Sequence, residues 1–264
     1  MRIKGNTFVV TGGASGMGEA TVHELVRLGA NVAIFDIQGE KVAALAKTLG
    51  DQAFNPGVVD VTSEQQVKSA IEATVARFGK LAGAINCGGI LTIGKIINPE
   101  NPDAALNLAD LEDVLRVNVI GTLNVCKQVA NVLAGQEPYN KDGERGVLIN
   151  TTSVAWDDGQ VGQVAYAAAK GGIYSVSLPM ARDLAPYGVR VMAIAPGCFQ
   201  TPMVAAAKEL PNFTLAEMAA ASSGLVFPKR FGQAPEFAQL VVQIVENVML
   251  NGSVIRLDGG VRLK

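Results

Sequence analysis

Along most of the chain, two kinds of apolar pattern alternate. Short continuous β-branched runs predict strands buried on both faces, and apolar residues spaced three and four apart predict amphipathic helices. Thr7–Thr11 is the first such run. It leads into a glycine-rich stretch, residues 12–18, and then a helix with Val22, Leu25, Val26 and Leu28 on one side. Asn31–Phe35 predicts a second strand ending on Asp36, followed by a helix over 39–49 and a strand over 53–58 that runs toward Asp60 and Val61. A helix over 63–78, a strand over 81–86, a Gly/Pro/Asn-rich loop over 87–102 and a long helix over 110–134 come next. Residues 135–145 are polar and read as an exposed loop. A strand over 147–153 precedes a helix that contains Tyr166, where Pro179 predicts a kink or an early end. A strand over 189–194, a mixed stretch over 203–232, a helix over 234–248 and a strand over 253–257 complete the chain. Strands alternating with helices, without a linker or repeat, predict a single α/β domain built on a doubly wound parallel sheet, with 203–232 as its mobile substrate loop.

Composition narrows the class of function. The 264 residues are 49% hydrophobic and 17% charged, with 29 glycines and a net charge of -2. That profile suits a globular α/β protein and argues against a nucleic-acid surface. Cys87, Cys126 and Cys198 have no spacing that suggests a disulfide framework or a metal site. No apolar run approaches the length of a membrane span, and the first residues enter a strand without a signal-peptide core, so a cytoplasmic location is expected.

The glycine stretch carries the first chemistry. Gly12, Gly16 and Gly18 follow a strand and open a helix, where backbone N–H groups can approach a pyrophosphate. A glycine-rich turn alone is often only a turn. Here an acid, Asp36, ends the second strand 18 residues after Gly18, the position for a carboxylate bonded to the adenosine ribose. These features predict a Rossmann-type dinucleotide site. Asp36 would repel a 2′-phosphate, and its neighbours Gly13, Ala14, Ile37 and Gln38 are uncharged, so NAD is expected over NADP.

The second chemistry lies after residue 147. Tyr166 and Lys170 are one helical turn apart on one face, and Ser153 ends the preceding strand. A phenol serving as a base near neutrality must fall from a pKa near 10, at a cost of about 4 kcal/mol, and one ammonium about 4 Å away supplies roughly that much. Tyr-x-x-x-Lys by itself is more often an incidental surface pair, so the weight rests on the whole set.

Gly12-x3-Gly16-x-Gly18, Asn86-Cys-Gly-Gly89, Asn118, Ser153, Tyr166-x3-Lys170 and Pro196-Gly-x3-Thr201 together resemble the short-chain dehydrogenase/reductase family over essentially the whole chain. The resemblance implies that Tyr166 is the acid/base and that Lys170 lowers its pKa and holds the nicotinamide ribose. It also implies that Ser153 polarises the substrate oxygen and that Asn118 supports a proton-relay water. Cys87-Gly88 departs from the Asn-Ala common in the family before its glycine. Longer stretches, among them 181–186, 188–192 and 254–259, resemble the family's members that act on 3-hydroxyacyl-CoA. That likeness implies an NAD site lined by Ser15, Met17, Asp36, Asp60, Val61, Cys87, Phe199 and Thr201, with Asn86, Gly88 and Pro196 beside them. It also implies a homotetramer.

Other residues are open to two readings. Gln160 and Gln163 are amide groups near the substrate mouth, and Trp156-Asp157-Asp158 is either part of that mouth or a solvated loop. His23 reads as a surface or packing residue, and Cys198 as a packing residue. Lys208, Lys229 and Arg230 are placed to meet CoA phosphates, if the substrate is an acyl-CoA. The expected activity is NAD-dependent interconversion of a secondary alcohol and a ketone, most simply a 3-hydroxyacyl-CoA and its 3-ketoacyl-CoA. A steroid, terpenoid or aryl alcohol is the alternative, and a non-catalytic NAD-binding scaffold is a third.

Overall fold

The computed structural model describes residues 1–207 and 224–263. Seven parallel strands form one sheet in the order β3-β2-β1-β4-β5-β6-β7. The strands are β1 (Thr7–Thr11), β2 (Asn31–Phe35), β3 (Ala53–Phe54), β4 (Gly83–Asn86), β5 (Gly146–Thr151), β6 (Val189–Pro196) and β7 (Val254–Leu257). The helices are α1 (Gly16–Arg27), α2 (Gly39–Leu49), α3 (Glu64–Phe78), α4 (Leu108–Leu115), α5 (Thr122–Ala134), α6 (Val164–Leu184), α7 (Pro202–Ala207) and α8 (Ala234–Glu246). The continuous apolar runs have the cause expected of them. Strands such as β1, β5 and β6 are buried along their whole length, because helices cover both faces of the sheet.

Alternate side chains of each strand enter opposite layers. Phe8 and Val10 pack with Val22, Leu25, Phe237 and Val241 beneath α1 and α8. Val9 and Leu148 pack with Val67, Ile71, Val129 and Leu133 beneath α3 and α5. Strand order reverses across β1 and β4, so a crevice opens at their carboxyl ends.

Several elements differ from expectation. β3 stops at Phe54 because the Asn55 Oδ1 accepts from Gly57 N at 2.9 Å, turning the chain, and Pro56 has no N–H for a ladder. The long helix starts earlier, at Leu108, where Asn107 Oδ1 caps Ala109 N at 2.9 Å. It then widens into a π-type turn over Arg116–Gly121 before α5. Pro179 does not end α6, which continues to Leu184 while packed against β6 and α4. Of the segment 203–232, residues 208–223 lie outside the described residues, so the expected substrate loop is not described there. Residues 224–232 are tied down: Gly232 N donates to Cys198 O at 2.9 Å and Phe227 N to Gly259 O at 3.1 Å. Among the described residues, no helix is long and apolar enough to cross a membrane.

Candidate active site

A cavity of about 300 Å³ occupies the crevice at the carboxyl ends of β1, β2 and β4. Its floor is the glycine turn, whose close packing no side chain would permit. A Cβ on Gly12 would sit 2.8 Å from Gly88 Cα, and one on Gly18 would sit 2.1 Å from Gly12 O. Gly12 and Gly16 have φ of 61° and 55°, which favours glycine. The ends of β1 and β4 are clasped by Gly88 N donating to Thr11 Oγ1 at 3.1 Å and Cys87 N donating to Thr11 O at 3.2 Å.

Asp36 sits at the rim and is 7% exposed. Its Oδ2 accepts from Ala14 N at 3.1 Å, and its Oδ1 accepts from Gln38 N at 3.0 Å. The carboxylate thus braces the glycine turn and faces the cavity. Asp60 Oδ1 is held by Thr62 N and Thr62 Oγ1, both at 2.8 Å, which fixes the turn that presents Val61. Of the expected cofactor residues, Gly12, Ser15, Gly16, Met17, Gly18, Asp36, Asp60, Val61, Cys87, Gly88 and Thr201 line the cavity. Among the described residues, the lining contains two carboxylates and no Lys or Arg. A dinucleotide fits such a cradle: backbone that can approach a pyrophosphate closely, an acid at the ribose position, and apolar walls from Val61, Ile37 and Ile90.

Five other residues expected at the cofactor do not line it: Tyr166 and Lys170 stand beside it, and three more turn away. Asn86 turns inward, its Nδ2 donating to Asn150 Oδ1 at 2.9 Å between strands β4 and β5. Phe199 belongs to the core, its ring lying where a Cβ on Gly232 would fall. Pro196 is a buried end of β6, paired with Leu257. A strand-end position in sequence does not say whether a side chain points up to the crevice or down into the layers, and here packing decided.

The Tyr166 group forms beside the cavity. Lys170 Nζ donates to Thr151 O at 2.9 Å and lies 5.5 Å from the Tyr166 ring centre, with Thr152 Oγ1 bonding Lys170 O at 2.7 Å. Ser153 stands across the loop close enough to Tyr166 to favour its ionised form, while its Oγ accepts from Ala155 N at 3.2 Å. Gly89 joins this group to the cavity it lines: a Cβ there would sit 3.0 Å from Asn118 Oδ1 and 3.7 Å from Lys170 Nζ. Asn118 is 1% exposed, and its amide clasps the Ile90 backbone, accepting from N at 2.8 Å and donating to O at 2.9 Å. It lies in the widened turn, and its own carbonyl accepts from Thr122 Oγ1 at 2.8 Å.

Burial dominates the electrostatics of the pair. Burial pushes the Tyr166 phenol up to about 12, with the Ser153 hydrogen bond acting the other way. Burial also brings Lys170 down to about 8, partly offset by the nearby Cys87. The Cys87 thiol is itself pushed up to about 12 by burial, which makes it a packing group rather than a nucleophile.

Gln163 Oε1 accepts from Gln160 N at 3.0 Å, and Gly94 N donates to Gly162 O at 2.9 Å, so both glutamines lie on a loop pinned to residue 94. Trp156 stacks on Tyr174 at 3.7 Å rather than lying free in solvent. His23 is surface, 4.0 Å from Glu19. Arg230 is committed to Glu236 at 2.7 Å, and Lys208 lies outside the described residues. The sequence reading missed Gly89, Ile90 and Val117 as cavity-lining residues, although Val117 flanks Asn118 and Gly89 and Ile90 directly follow Gly88.

Residues 6–211 match the family model described as short chain dehydrogenase. The chain belongs to that family. As a member of the short-chain dehydrogenases it is an oxidoreductase that works with a nicotinamide dinucleotide. It is 46% identical over 264 residues to the 3-hydroxyacyl-CoA dehydrogenase type-2 of Homo sapiens, covering 99% of this chain and 97% of the relative. The protein of that name in Drosophila melanogaster is 44% identical over 262 residues, covering 99% of each. A crystal structure of 3-hydroxyacyl-CoA dehydrogenase type-2 from Mycobacterium avium superposes with a TM-score of 0.86 at 38% identity, over 98% of this chain and 96% of that one.

Proposed function

We propose that this short-chain dehydrogenase uses NAD to interconvert a 3-hydroxyacyl-CoA and its 3-ketoacyl-CoA. The observation that carries the reaction is the meeting of Ser153, Tyr166 and Lys170 beside a crevice rimmed by Asp36. In this reading the nicotinamide, when bound, supplies the carbon that takes or gives the hydride. Tyr166 moves the proton at its phenol oxygen, taking it from the alcohol or returning it to the ketone. Ser153 donates to the substrate oxygen and sets its distance from the phenol. Lys170 keeps positive charge beside Tyr166 and is itself held by Thr151 O. Asn118 holds the Ile90 backbone against the site, and the family resemblance gives it the support of a relay water. NAD rather than NADP is supported by Asp36 and by a lining that, among the described residues, has no cation to meet a 2′-phosphate.

The acyl-CoA substrate is supported by the names of relatives 44–46% identical over almost the whole chain. Arg230 is paired with Glu236, while Lys229 beside it and Lys95, next to the Gly94 that bridges to Gln163, are both exposed. A homotetramer in the cytoplasm remains part of the proposal, and exposed apolar side chains such as Ile120 and Leu178 are consistent with further association. The test is NADH formation from 3-hydroxybutyryl-CoA, from an uncharged ester of the same acid and from a steroid alcohol. The thioester should give by far the highest kcat/KM, and added salt should lower it. Equal rates for thioester and ester, or preference for the steroid, would overturn the acyl-CoA reading and leave the dehydrogenase.

A further inference from the structure

The loop joining Ser153 to Tyr166 is held from the edge of the sheet. Arg256, on β7 opposite Ala195, sends Nη2 to Asp158 Oδ2 at 2.6 Å and Nε to Asp258 Oδ2 at 2.7 Å. The same Nη2 bonds Val261 O at 3.1 Å, and Nη1 lies 3.7 Å from Asp157 Oδ2. Arg256 is 21% exposed and Asp158 10%, so the pair is largely withdrawn from water, where losing one partner strands the other. Asp158 N in turn bonds Val154 O at 2.9 Å, and Ala155 N bonds Ser153 Oγ at 3.2 Å. Asp158 therefore closes the short turn that Ser153 opens. On its other side the guanidinium fixes Asp258, whose Cβ lies 2.8 Å from where a Cβ on Gly197 would stand, and the next residue takes the Phe227 N–H at 3.1 Å.

Tyr166 and Lys170 are anchored separately, on α6 and through Thr151 O. A change at Arg256 or Asp158 thus moves Ser153 against a stationary Tyr166–Lys170 pair and leaves the dinucleotide crevice alone. We propose that Arg256 is a positioning residue of the reaction: through Asp158 it sets Ser153 and the 160–163 stretch at working distance from Tyr166. The same guanidinium ties that loop, by way of Asp258 and Gly259, to the Phe227 stretch. The proposal rests on the reading that Ser153 and Tyr166 act on the substrate, and not on which alcohol the substrate is.

The test uses the full chain with NAD and whichever secondary alcohol the unaltered protein turns over fastest. Asp158→Asn should lower kcat/KM by about tenfold, inside the roughly 100-fold that a displacement near 1 Å costs, with the Kd for NADH changed by less than about twofold. The melting temperature should stay within a few degrees, and Asp158→Glu, which keeps the charge, should recover most of the loss. Arg256→Lys keeps charge without the fork that spans two carboxylates, so it should lose activity as Asp158→Asn does, and the double variant should lose no more than the worse single one. Wild-type kcat/KM in Asp158→Asn overturns the proposal. So does an additive double variant, or a loss matched by an equal loss of NADH binding. If the thioester is rejected but another alcohol is oxidised, the acyl-CoA reading fails alone and this test proceeds on that alcohol.

Discussion

Replacing Asp36 with alanine separates two jobs done by one carboxylate. Toward the cofactor, a charge-assisted bond to ribose hydroxyls contributes about 1.5–3 kcal/mol, so its loss should raise the Kd for NADH by about 10- to 150-fold. Toward a 2′-phosphate the sign is opposite. Two like charges about 5 Å apart at an effective dielectric near 20 repel by roughly 3 kcal/mol, less in an open crevice, so NADPH should bind more tightly than before. Toward the fold, Ala14 N and Gln38 N lose acceptors now at 3.1 and 3.0 Å. That costs stability by about 1–3 kcal/mol, so melting curves of the apo protein must accompany the titrations. The assay is fluorescence titration of NADH and NADPH on the unaltered protein and on Asp36→Ala, at one salt concentration. The preference for NADH over NADPH should shrink at least about tenfold, the equivalent of roughly 1.4 kcal/mol. Tighter NADPH than NADH binding in the unaltered protein would refute the reasoning, as would an NADH Kd unmoved by the substitution.

Two further outcomes follow from the Tyr166 group. Tyr166→Phe keeps the ring and removes the proton-carrying oxygen, so turnover should fall by at least about 10²-fold while NADH binding persists; activity near the wild-type value would remove Tyr166 from the chemistry. With its pKa raised to about 12, the phenol is in the acid form at neutral pH and its deprotonated fraction grows with each step toward alkali. Oxidation of the alcohol should therefore speed up from pH 6 to 9. Ketone reduction, which uses the phenol's proton, should hold steady until Lys170 begins to lose its charge near 8. An oxidation rate that falls over that range would contradict the assignment.

What the sequence determined was local in origin. The strands Thr7–Thr11 and Asn31–Phe35 and the helix 39–49 are drawn from apolar periodicity with no boundary error, because each is set by neighbours within one or two turns of chain. The glycine spacing, the acid after β2 and the four-residue step from Tyr166 to Lys170 are likewise short-range geometry, so the crevice and the catalytic face were legible before any coordinates. Tertiary structure alone decided which way a side chain faces and what it is bonded to. Asn86 and Phe199 sit near the crevice in sequence terms, yet Asn150 draws one inward and Gly232 receives the ring of the other. Lys170 could be placed beside Tyr166 by spacing, but the desolvation that keeps the phenol protonated comes from the layers packed around both. Arg230 carries a charge suited to a phosphate, but the fold turns its guanidinium onto Glu236 at 2.7 Å. Arg256 and Asp158 are 98 positions apart. No periodicity links them, because only the closing of β7 against β6 brings that guanidinium to the loop that carries Ser153.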